Sequence, residues 1–221
     1  MEQEGLYELH QRTNSKVQRA LKSSNYSLAI KILYETICKL ITNEQWNSAF
    51  ECCTKLLSIL TSNSSLDVDE ATALLCEIFD QIEQTVSKSS DQQLTWSCCS
   101  KFFTATIEWS QQESCFKCGD SELLLRIGNI LMLIDENEKA VSFLSNSLHQ
   151  NTVKQLAVCA QRECTLVIPI VAGLLKNKNF QFANEFLLLV DREGDFKKEN
   201  STVNKKDELN FAHLLLNICL S

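Results

Sequence analysis

The sequence predicts an all-α protein, an α-solenoid of antiparallel helix pairs, and three observations carry this prediction. Glycine and proline are scarce, with 5 and 1 among 221 residues, which favours long helices joined by short polar turns over sheets. Hydrophobic residues make up 44% of the chain, enough to bury a core. The third observation is a short pattern that occurs four times.

The repeated pattern has four positions, i, i+3, i+6 and i+7. The first position is aromatic, or Asn in one copy, the second is Ala, and the last two are apolar. This spacing keeps the four side chains on one side of a helix, and the small Ala lets a neighbouring helix come close. Such packing is typical of tetratricopeptide-like repeat proteins, which usually bind other proteins. The copies begin at Tyr26, Trp46, Asn137 and Phe180.

In the first half of the chain the pattern and the turn signals predict five helices. Residues 61–66 are rich in Ser and Asn and predict a loop, after which Asp67, with Glu70 three residues on, predicts a helix N-cap. Residues 110–119 are polar and predict a longer connection. The predicted helices cover residues 4–22, 26–41, 46–60, 68–86 and 92–109.

In the second half either Asp120 or Ser121 is predicted to cap the first helix. Pro169 lies within an apolar segment, where its missing N–H should kink or end a helix. Residues 192–206 are charged and predict a solvated loop, and Asp207 is predicted to cap the last helix. The predicted helical segments cover residues 121–134, 137–149, 153–160, 163–176, 180–190 and 209–220.

A new helix is therefore predicted about every 20 residues. Residues 1–221 are predicted to form a single α-solenoid domain. Its N-terminal half covers residues 1–110 and its C-terminal half residues 120–221. The last helix is too apolar to face water alone, because repeat arrays need a polar outer face at each end.

Charge and hydropathy narrow the classes of function. The net charge of −7 disfavours a general attraction to nucleic acid or to anionic membranes. No apolar run reaches the roughly 18 residues of a membrane span, and the acidic N-terminus has no secretion signal. We therefore expect a cytoplasmic protein that neither binds nucleic acid nor inserts into a membrane.

The sequence offers little for chemistry. Cys115 and Cys118 form a C-x-x-C unit, but a zinc site needs a second pair or a nearby His, and a thioredoxin-like site needs a βαβ context. No Ser/His/Asp set and no glycine-rich phosphate loop is evident. We predict a non-enzymatic protein without metal or cofactor, and keep a redox or zinc protein centred on Cys115 and Cys118 as a third class of function. Six of the 11 cysteines occupy apolar helix positions, as small hydrophobes do: Cys38, Cys52, Cys76, Cys98, Cys164 and Cys219.

Four cations form a basic stripe on the first predicted helix. Arg12, Lys16, Arg19 and Lys22 follow one another at i, i+4, i+7 and i+10. One interpretation is an ordinary solvated helix face. The other is a docking site for an acidic protein partner, in which charge steers association.

Beside the stripe, several fragments occur in a characteristic order along the chain. Together they resemble the Golgi-to-ER traffic protein 4 family, the helical adaptor of the tail-anchored membrane protein insertion pathway. The fragments are Tyr7-Glu8-Leu9-His10-Gln11, then Arg19, Ala29, Tyr34 and Gln45–Ala49, then Trp109-Ser110 and Lys117–Asp120, and then Leu174–Phe180 and Asp207–Phe211 leading into Leu214–Leu216.

The resemblance implies a bridge between two partners. The N-terminal part is expected to hold the tail-anchored-protein targeting ATPase, and the C-terminal part a ubiquitin-like-domain protein. Tyr7, His10, Gln11 and Arg19 match the family's N-terminal motif, with Tyr7 and Arg19 as the strongest candidates. Arg12 and Lys16 join this partner-binding set only through the basic stripe.

The chain departs from the family at both ends. We expect the helix that normally precedes the motif to be missing and, because the sequence ends soon after Leu216, the C-terminal half to be truncated relative to the family. The alternative function is a helical-repeat scaffold subunit of another complex, of the proteasome-lid or signalosome type. Such subunits normally end in a winged-helix module, and none is visible in this sequence.

Overall fold

A computed structural model describes the backbone of residues 2–62, 67–89, 94–113, 119–147, 149, 151–192 and 205–220. These residues form eleven α-helices and one short 3₁₀ helix and contain no strand, which confirms the all-α prediction. None of the described helices is both long enough and apolar enough to span a bilayer.

The chain divides into two compact units, residues 1–123 and residues 124–221. Each unit is a set of packed helices, and the assignment of residues 1–221 to a single domain stays a prediction. The α-helices in chain order are α1 (Glu2–Lys22), α2 (Tyr26–Thr42), α3 (Trp46–Ser62), α4 (Val68–Lys88), α5 (Trp96–Glu113), α6 (Ser121–Leu133), α7 (Asn137–Leu144), α8 (Thr152–Arg162), α9 (Val167–Lys176), α10 (Phe180–Arg192) and α11 (Lys205–Leu220).

In the first unit α1 packs on α2, α2 packs on both α3 and α4, and α3 packs on α5. Aromatic rings fill the centre. Phe79 of α4 stacks on Phe102 of α5 with ring centroids 5.4 Å apart, and Phe50 of α3 meets Phe103 edge-on at 6.1 Å. Such ring pairs add about 0.5–1.5 kcal/mol each beyond their buried area, so this cluster joins three helices into one core.

In the second unit α10 packs on α8 and α9, and α9 also packs on α7 and α11. Gly128 lets α6 approach α7 closely, because a Cβ at this position would lie 2.5 Å from the side chain of Leu144. The guanidinium of Arg162 in α8 donates to the carbonyl oxygen of Met132 near the end of α6 at 2.5 Å. This bond satisfies one of the carbonyl groups that a helix end leaves open.

The four copies of the repeated pattern each open a helix, namely α2, α3, α7 and α10. In every copy the Ala is fully buried, with 0% exposure of Ala29, Ala49, Ala140 and Ala183. The prediction that these residues lie on the packed side of their helices is therefore confirmed.

A shared turn precedes each copy. The residue two positions before the new helix has a left-handed backbone, with φ of 53° at Ser24, 55° at Glu44, 58° at Asp135 and 59° at Lys178. The N–H of the next residue then bonds the carbonyl five positions back, at 2.8–2.9 Å, as in a Schellman motif. All four connections are three residues long, and none uses the glycine that this conformation favours.

Two predicted helix caps are confirmed and one is wrong. The carboxylate of Asp67 accepts from the N–H of Asp69 at 2.8 Å at the start of α4. Asp120 accepts from the N–H groups of Glu122 and Leu123, both at 3.0 Å, at the start of α6. Asp207 lies inside α11, which begins at Lys205, so it does not cap that helix.

Pro169 does not end its helix, because α9 continues past it to Lys176. The apolar segment predicted as one helix is divided before Val167, with a 3₁₀ helix at Cys164–Leu166 and α9 after it. Pro169 is the third residue of α9, where backbone N–H groups have no partner within the helix. Its missing donor therefore costs nothing at this position.

The connection predicted at residues 110–119 begins later in the structure, because α5 continues to Glu113. Trp109 and Ser110 are 4% and 2% exposed, so burial at these two positions favours continuation of the helix into the polar stretch. By contrast, the helix predicted at 137–149 is shorter, since α7 ends at Leu144.

Candidate docking surface

Helix α1 packs on α2 through one narrow face. Thr13, Val17 and Ala20, spaced i, i+4 and i+7, are at most 5% exposed. The hydroxyl oxygens of Thr13 and Thr36 lie 3.0 Å apart and satisfy each other inside this contact. The contact fixes which side of α1 faces solvent.

The basic stripe lies on that exposed side, with Arg12, Lys16, Arg19 and Lys22 all exposed. Arg12 donates to the carboxylate of Glu8, one turn earlier, at 3.0 Å. Among the residues that the structure describes, no ion pair involves any of the other three cations. The stripe therefore presents a positive charge that the fold leaves uncompensated.

His10 lies on a different face, against α3. Its side chain is 13% exposed, and its Nε2 lies 3.6 Å from a carboxylate oxygen of Glu51, too far for a hydrogen bond. Beside it, the ammonium of Lys55 donates to Asn14 at 2.9 Å and to Glu51 at 2.7 Å. The hydrogen bond from Lys55 lowers the pKa of Glu51, so His10 faces a carboxylate that stays ionised.

The structure does not bring all six candidate residues together. The structure brings Arg12, Lys16 and Arg19 together on one exposed face, while His10 faces α3. Gln11 is exposed and takes part in a contact within the fold. The backbone of Tyr7 is helical, but its side chain is outside the described residues.

Helix α2 adds an exposed surface that the sequence analysis did not single out. Leu28 is 45% exposed, and Lys31, Glu35 and Lys39 follow it at i+3, i+7 and i+11, all exposed. These residues lie on the side of α2 opposite its buried residues. The helical periodicity that predicted the buried face of α2 could also have predicted this exposed face.

A cleft of about 450 Å³ opens between α3 and α5 in the first unit. Its floor is apolar, with Phe50 and Phe102, and its walls are polar and carry two lysines. The lining residues are Asn47, Phe50, Glu51, Thr54, Lys55, Ser97, Cys98, Lys101 and Phe102.

The cysteine predictions have mixed outcomes. Cys52 is buried and Cys38, Cys76 and Cys98 are half-buried, whereas Cys219 is exposed, so its assignment to an apolar helix position, as a small hydrophobe, is wrong. The side chain of Cys164 and the whole Cys115–Cys118 unit lie outside the described residues. In the described part of the chain, no three His, Cys, Asp or Glu residues are arranged to hold a metal ion.

Helix α11 shows a second exposed surface, the α11 stripe, formed by Phe211, Leu214 and Ile218. These residues are 48%, 53% and 62% exposed and follow one another at i, i+3 and i+7. The opposite side of α11 buries only Ala212 and Leu216 among its described side chains. Apolar stripes of this kind mark interaction sites.

His213 and Asp191 connect α11 to α10. The Nε2 atom of His213 lies 3.0 Å from a carboxylate oxygen of Asp191, and both side chains are partly exposed. The pair supplements the small buried face of α11.

Two fragments quoted for the family resemblance meet at one turn. The Ser110 hydroxyl donates to the carbonyl oxygen of Ile107 and accepts from the N–H of Asp120, at 2.9 and 3.0 Å. Between them Gly119 has a φ of 92°, and a Cβ there would lie 2.7 Å from the Ser110 oxygen. These motif residues shape the connection into α6.

A third fragment has a similar structural role. The side-chain amides of Asn177 and Asn179 both donate to the carbonyl oxygen of Ser145, at 3.0 and 3.5 Å. The turn between α9 and α10 is thereby attached to the end of α7.

Comparisons with known proteins identify the fold and the family. The structure is similar to the crystal structure of Get4 from C. therm., with a TM-score of 0.67 and 19% sequence identity, over 96% of this chain and 70% of that chain. This similarity confirms the α-solenoid prediction. No curated protein sequence matches the chain significantly.

The model of the Golgi to ER traffic protein 4 family matches residues 23–221. The match begins directly after α1, so the six candidate residues at positions 7–19 lie outside it. Because the matched region spans most of the sequence, the chain belongs to the Golgi to ER traffic protein 4 family.

Proposed function

We propose that this protein is a non-enzymatic cytoplasmic adaptor that bridges the tail-anchored-protein targeting ATPase and a ubiquitin-like-domain protein. Family membership supports a role in Golgi-to-ER traffic and the tail-anchored protein pathway. The observation that carries the finer proposal is the basic stripe of α1, with three cations that have no ion pair among the described residues.

The stripe suits an acidic docking site on the ATPase. The chain as a whole has a net charge of −7, so a positive face on one helix orients an approaching acidic surface. Arg19 is the central residue of this proposed contact, because a guanidinium makes charge-assisted and often bidentate bonds with a carboxylate. Lys16 and Arg12 extend the contact along the helix.

The remaining candidates come from the family motif. Tyr7 supplies rigid apolar area with a polar tip, as aromatic residues at the centre of interfaces do. Gln11 is exposed beside the stripe. The His10 side chain is 13% exposed and lies near Glu51 of α3, so we assign it a role in packing α1 against that helix.

The α11 stripe supports the second contact. Three large apolar side chains on one helix face are 48%, 53% and 62% exposed, and exposed apolar surfaces of this kind mark interaction sites. A ubiquitin-like domain that covers them would bury apolar area worth about 25 cal/mol per Å².

The mechanism that we propose is geometric. The adaptor holds the ATPase close to a chaperone-linked partner, so that a client passes between them without exposing its apolar tail anchor to water. No bond is made or broken by the adaptor itself.

The test is binding of the Arg19→Glu variant to the purified targeting ATPase. We expect the dissociation constant to rise about tenfold or more, since about 1.4 kcal/mol of contact energy corresponds to a factor of ten. Arg19 is exposed and has no ion pair in the described part of the chain, so helix content by circular dichroism should not change.

The matched control is Lys154→Glu, which makes the same change of charge at an exposed position of α8. It should bind as the unmodified chain does. Normal binding by Arg19→Glu would contradict the site, and no binding by the unmodified chain would contradict the adaptor function.

A further inference from the structure

We propose that Ser15 of α1 is a phosphorylation site and that its phosphate switches off docking at the basic stripe. This inference rests on the proposed function, since it concerns the regulation of the same surface. The phosphate donor is a nucleoside triphosphate, and the catalyst is a protein kinase that prefers basic sequences.

The position of Ser15 carries the inference. Ser15 is exposed, and its hydroxyl donates to the backbone carbonyl of Gln11 at 3.2 Å. Arg12 precedes it by three residues and Arg19 follows it by four, so one guanidinium lies a turn away on each side. Cβ atoms at these spacings on a helix are about 5–6 Å apart. Both arginine side chains can therefore reach a phosphate on Ser15.

The serine is also accessible to an enzyme. Among its described side chains, α1 buries only Thr13, Val17 and Ala20. A helix held by so few buried groups opens locally at low cost, which a kinase requires to hold its substrate in an extended form. The arginine three residues before Ser15 is the recognition feature for a kinase with an acidic substrate cleft.

The chemical step is phosphoryl transfer. The Ser15 oxygen attacks the γ-phosphorus, the bond from that phosphorus to the β-phosphate oxygen breaks, and a nucleoside diphosphate leaves. The hydroxyl proton passes to the catalytic carboxylate of the kinase.

The phosphate would reduce the positive charge of the docking surface. It brings a charge of about −1.5 to −2 near pH 7 and three acceptor oxygens. It would compete with Glu8 for Arg12, which now pairs with that carboxylate at 3.0 Å, and it would engage Arg19. An acidic partner would then meet a less positive face on which the central arginine is already occupied.

Ser58 provides a matched control within the same unit. It is also exposed on a helix, and its hydroxyl also donates to a backbone carbonyl, that of Lys55 at 2.7 Å. Its basic neighbour Lys55 is already paired with Glu51. A phosphate on Ser58 therefore adds the same charge away from the stripe.

The experiment uses the full chain with phosphoserine introduced during translation at position 15 or at position 58. Calorimetric titration with the targeting ATPase should show binding about tenfold weaker or more for phosphoserine 15, and within about twofold of the unmodified chain for phosphoserine 58. Equal binding by the unmodified chain and the chain with phosphoserine 15 would overturn the switch while leaving the adaptor function intact.

A second measurement does not depend on the partner. In ³¹P NMR titrations, phosphoserine 15 should show a lower second pKa than phosphoserine 58, because neighbouring cations favour the dianion. The double variant Arg12→Gln/Arg19→Gln should remove the difference. If the unmodified chain fails to bind the ATPase, the proposed function falls, whereas equal titrations at the two positions would overturn the phosphate–arginine contact itself.

The kinase step is tested on the unmodified chain with a purified basophilic kinase and MgATP. Peptide mass spectrometry should locate phosphate on Ser15, at a rate that falls severalfold in Arg12→Gln. A folded chain that remains unmodified at Ser15 would overturn the assignment of this residue as a kinase substrate.

Discussion

At the scale of single residues, burial decides the chemistry of the cysteines. Burial raises the pKa of both the Cys52 and Cys159 thiols to about 11, and raises that of Cys53 as well. These three thiols are buried, whereas Cys219 on α11 is exposed. Only the thiolate is a strong nucleophile, so two kinds of cysteine coexist in the chain.

We expect a maleimide at pH 8 to label Cys219 much faster than Cys52 or Cys159. The pKa of the two buried thiols lies about three units above this pH, so only roughly one in a thousand is ionised, and the fold also shields their sulfur atoms. Raising the pH toward 11 should speed their labelling. The measurement is labelling over time followed by peptide mass spectrometry.

The control is the same reaction in concentrated urea, where all cysteines are exposed and should react at similar rates. Labelling of Cys52 as fast as that of Cys219 in the folded chain would contradict the burial argument. Loss of the difference in urea is the expected outcome.

Some residue contacts could not be predicted from the sequence. The basic stripe was predictable because its period is that of a single helix. The contacts of Lys55 with Asn14 and of Glu51 with His10 join residues about forty positions apart. Such contacts depend on how α1 rests on α3, and helical periodicity alone holds no information about that packing.

At the scale of elements, the turn before each repeat explains why these helices begin where the pattern predicted. Four non-glycine residues adopt a left-handed backbone there, a conformation that is unfavourable for a residue with a Cβ. The hydrogen bond across each turn and the buried Ala that follows stabilise the connection enough to hold it.

We expect Lys178→Gly to raise the free energy of unfolding by about 0.5–1 kcal/mol. Lys178 has a φ of 59°, which glycine adopts without strain. The matched control is Lys176→Gly, two residues earlier in the last turn of α9, where loss of helix propensity should lower stability by about 1 kcal/mol or less.

Urea unfolding followed by circular dichroism measures both variants. The change of lysine to glycine should thus raise the free energy of unfolding at position 178 and lower it at position 176. A decrease for Lys178→Gly would show that the lysine side chain, and not the backbone, stabilises the turn.

The mispredicted elements have physical reasons. Pro169 was expected to disturb a helix, but the helix boundary lies before it, where a missing donor is tolerated. Residues 110–113 are polar and were predicted as a connection, yet they extend α5. Burial of Ser110 overrides local composition at this point.

At the scale of the whole molecule, the two proposed docking surfaces differ in chemistry and lie in different compact units. The basic stripe belongs to residues 1–123 and the α11 stripe to residues 124–221. One is charged and the other apolar, so the two contacts should respond to different variants.

We expect the triple variant Phe211→Ser/Leu214→Ser/Ile218→Ser to lose binding to the ubiquitin-like partner by about a hundredfold or more. Each large side chain contributes about 1.5–3 kcal/mol when fully buried. Binding to the ATPase should not change. Pull-down and calorimetry with each purified partner separate the two effects.

The control is Val68→Ser, an exposed apolar residue at the start of α4, which should leave both contacts intact. If the triple variant still binds the ubiquitin-like protein normally, the α11 stripe is not its site. If both partners are lost together, the two surfaces do not act separately.

The turns that precede the four repeats also bear on how the chain folds. Each closes a pair of helices over three residues, so little chain entropy is lost when the pair forms. Contacts between residues that are close in sequence favour fast folding. During synthesis the N-terminal part of a chain leaves the ribosome first. The α1–α2 and α2–α3 pairs can therefore assemble during synthesis, before the last residues of the chain have been made.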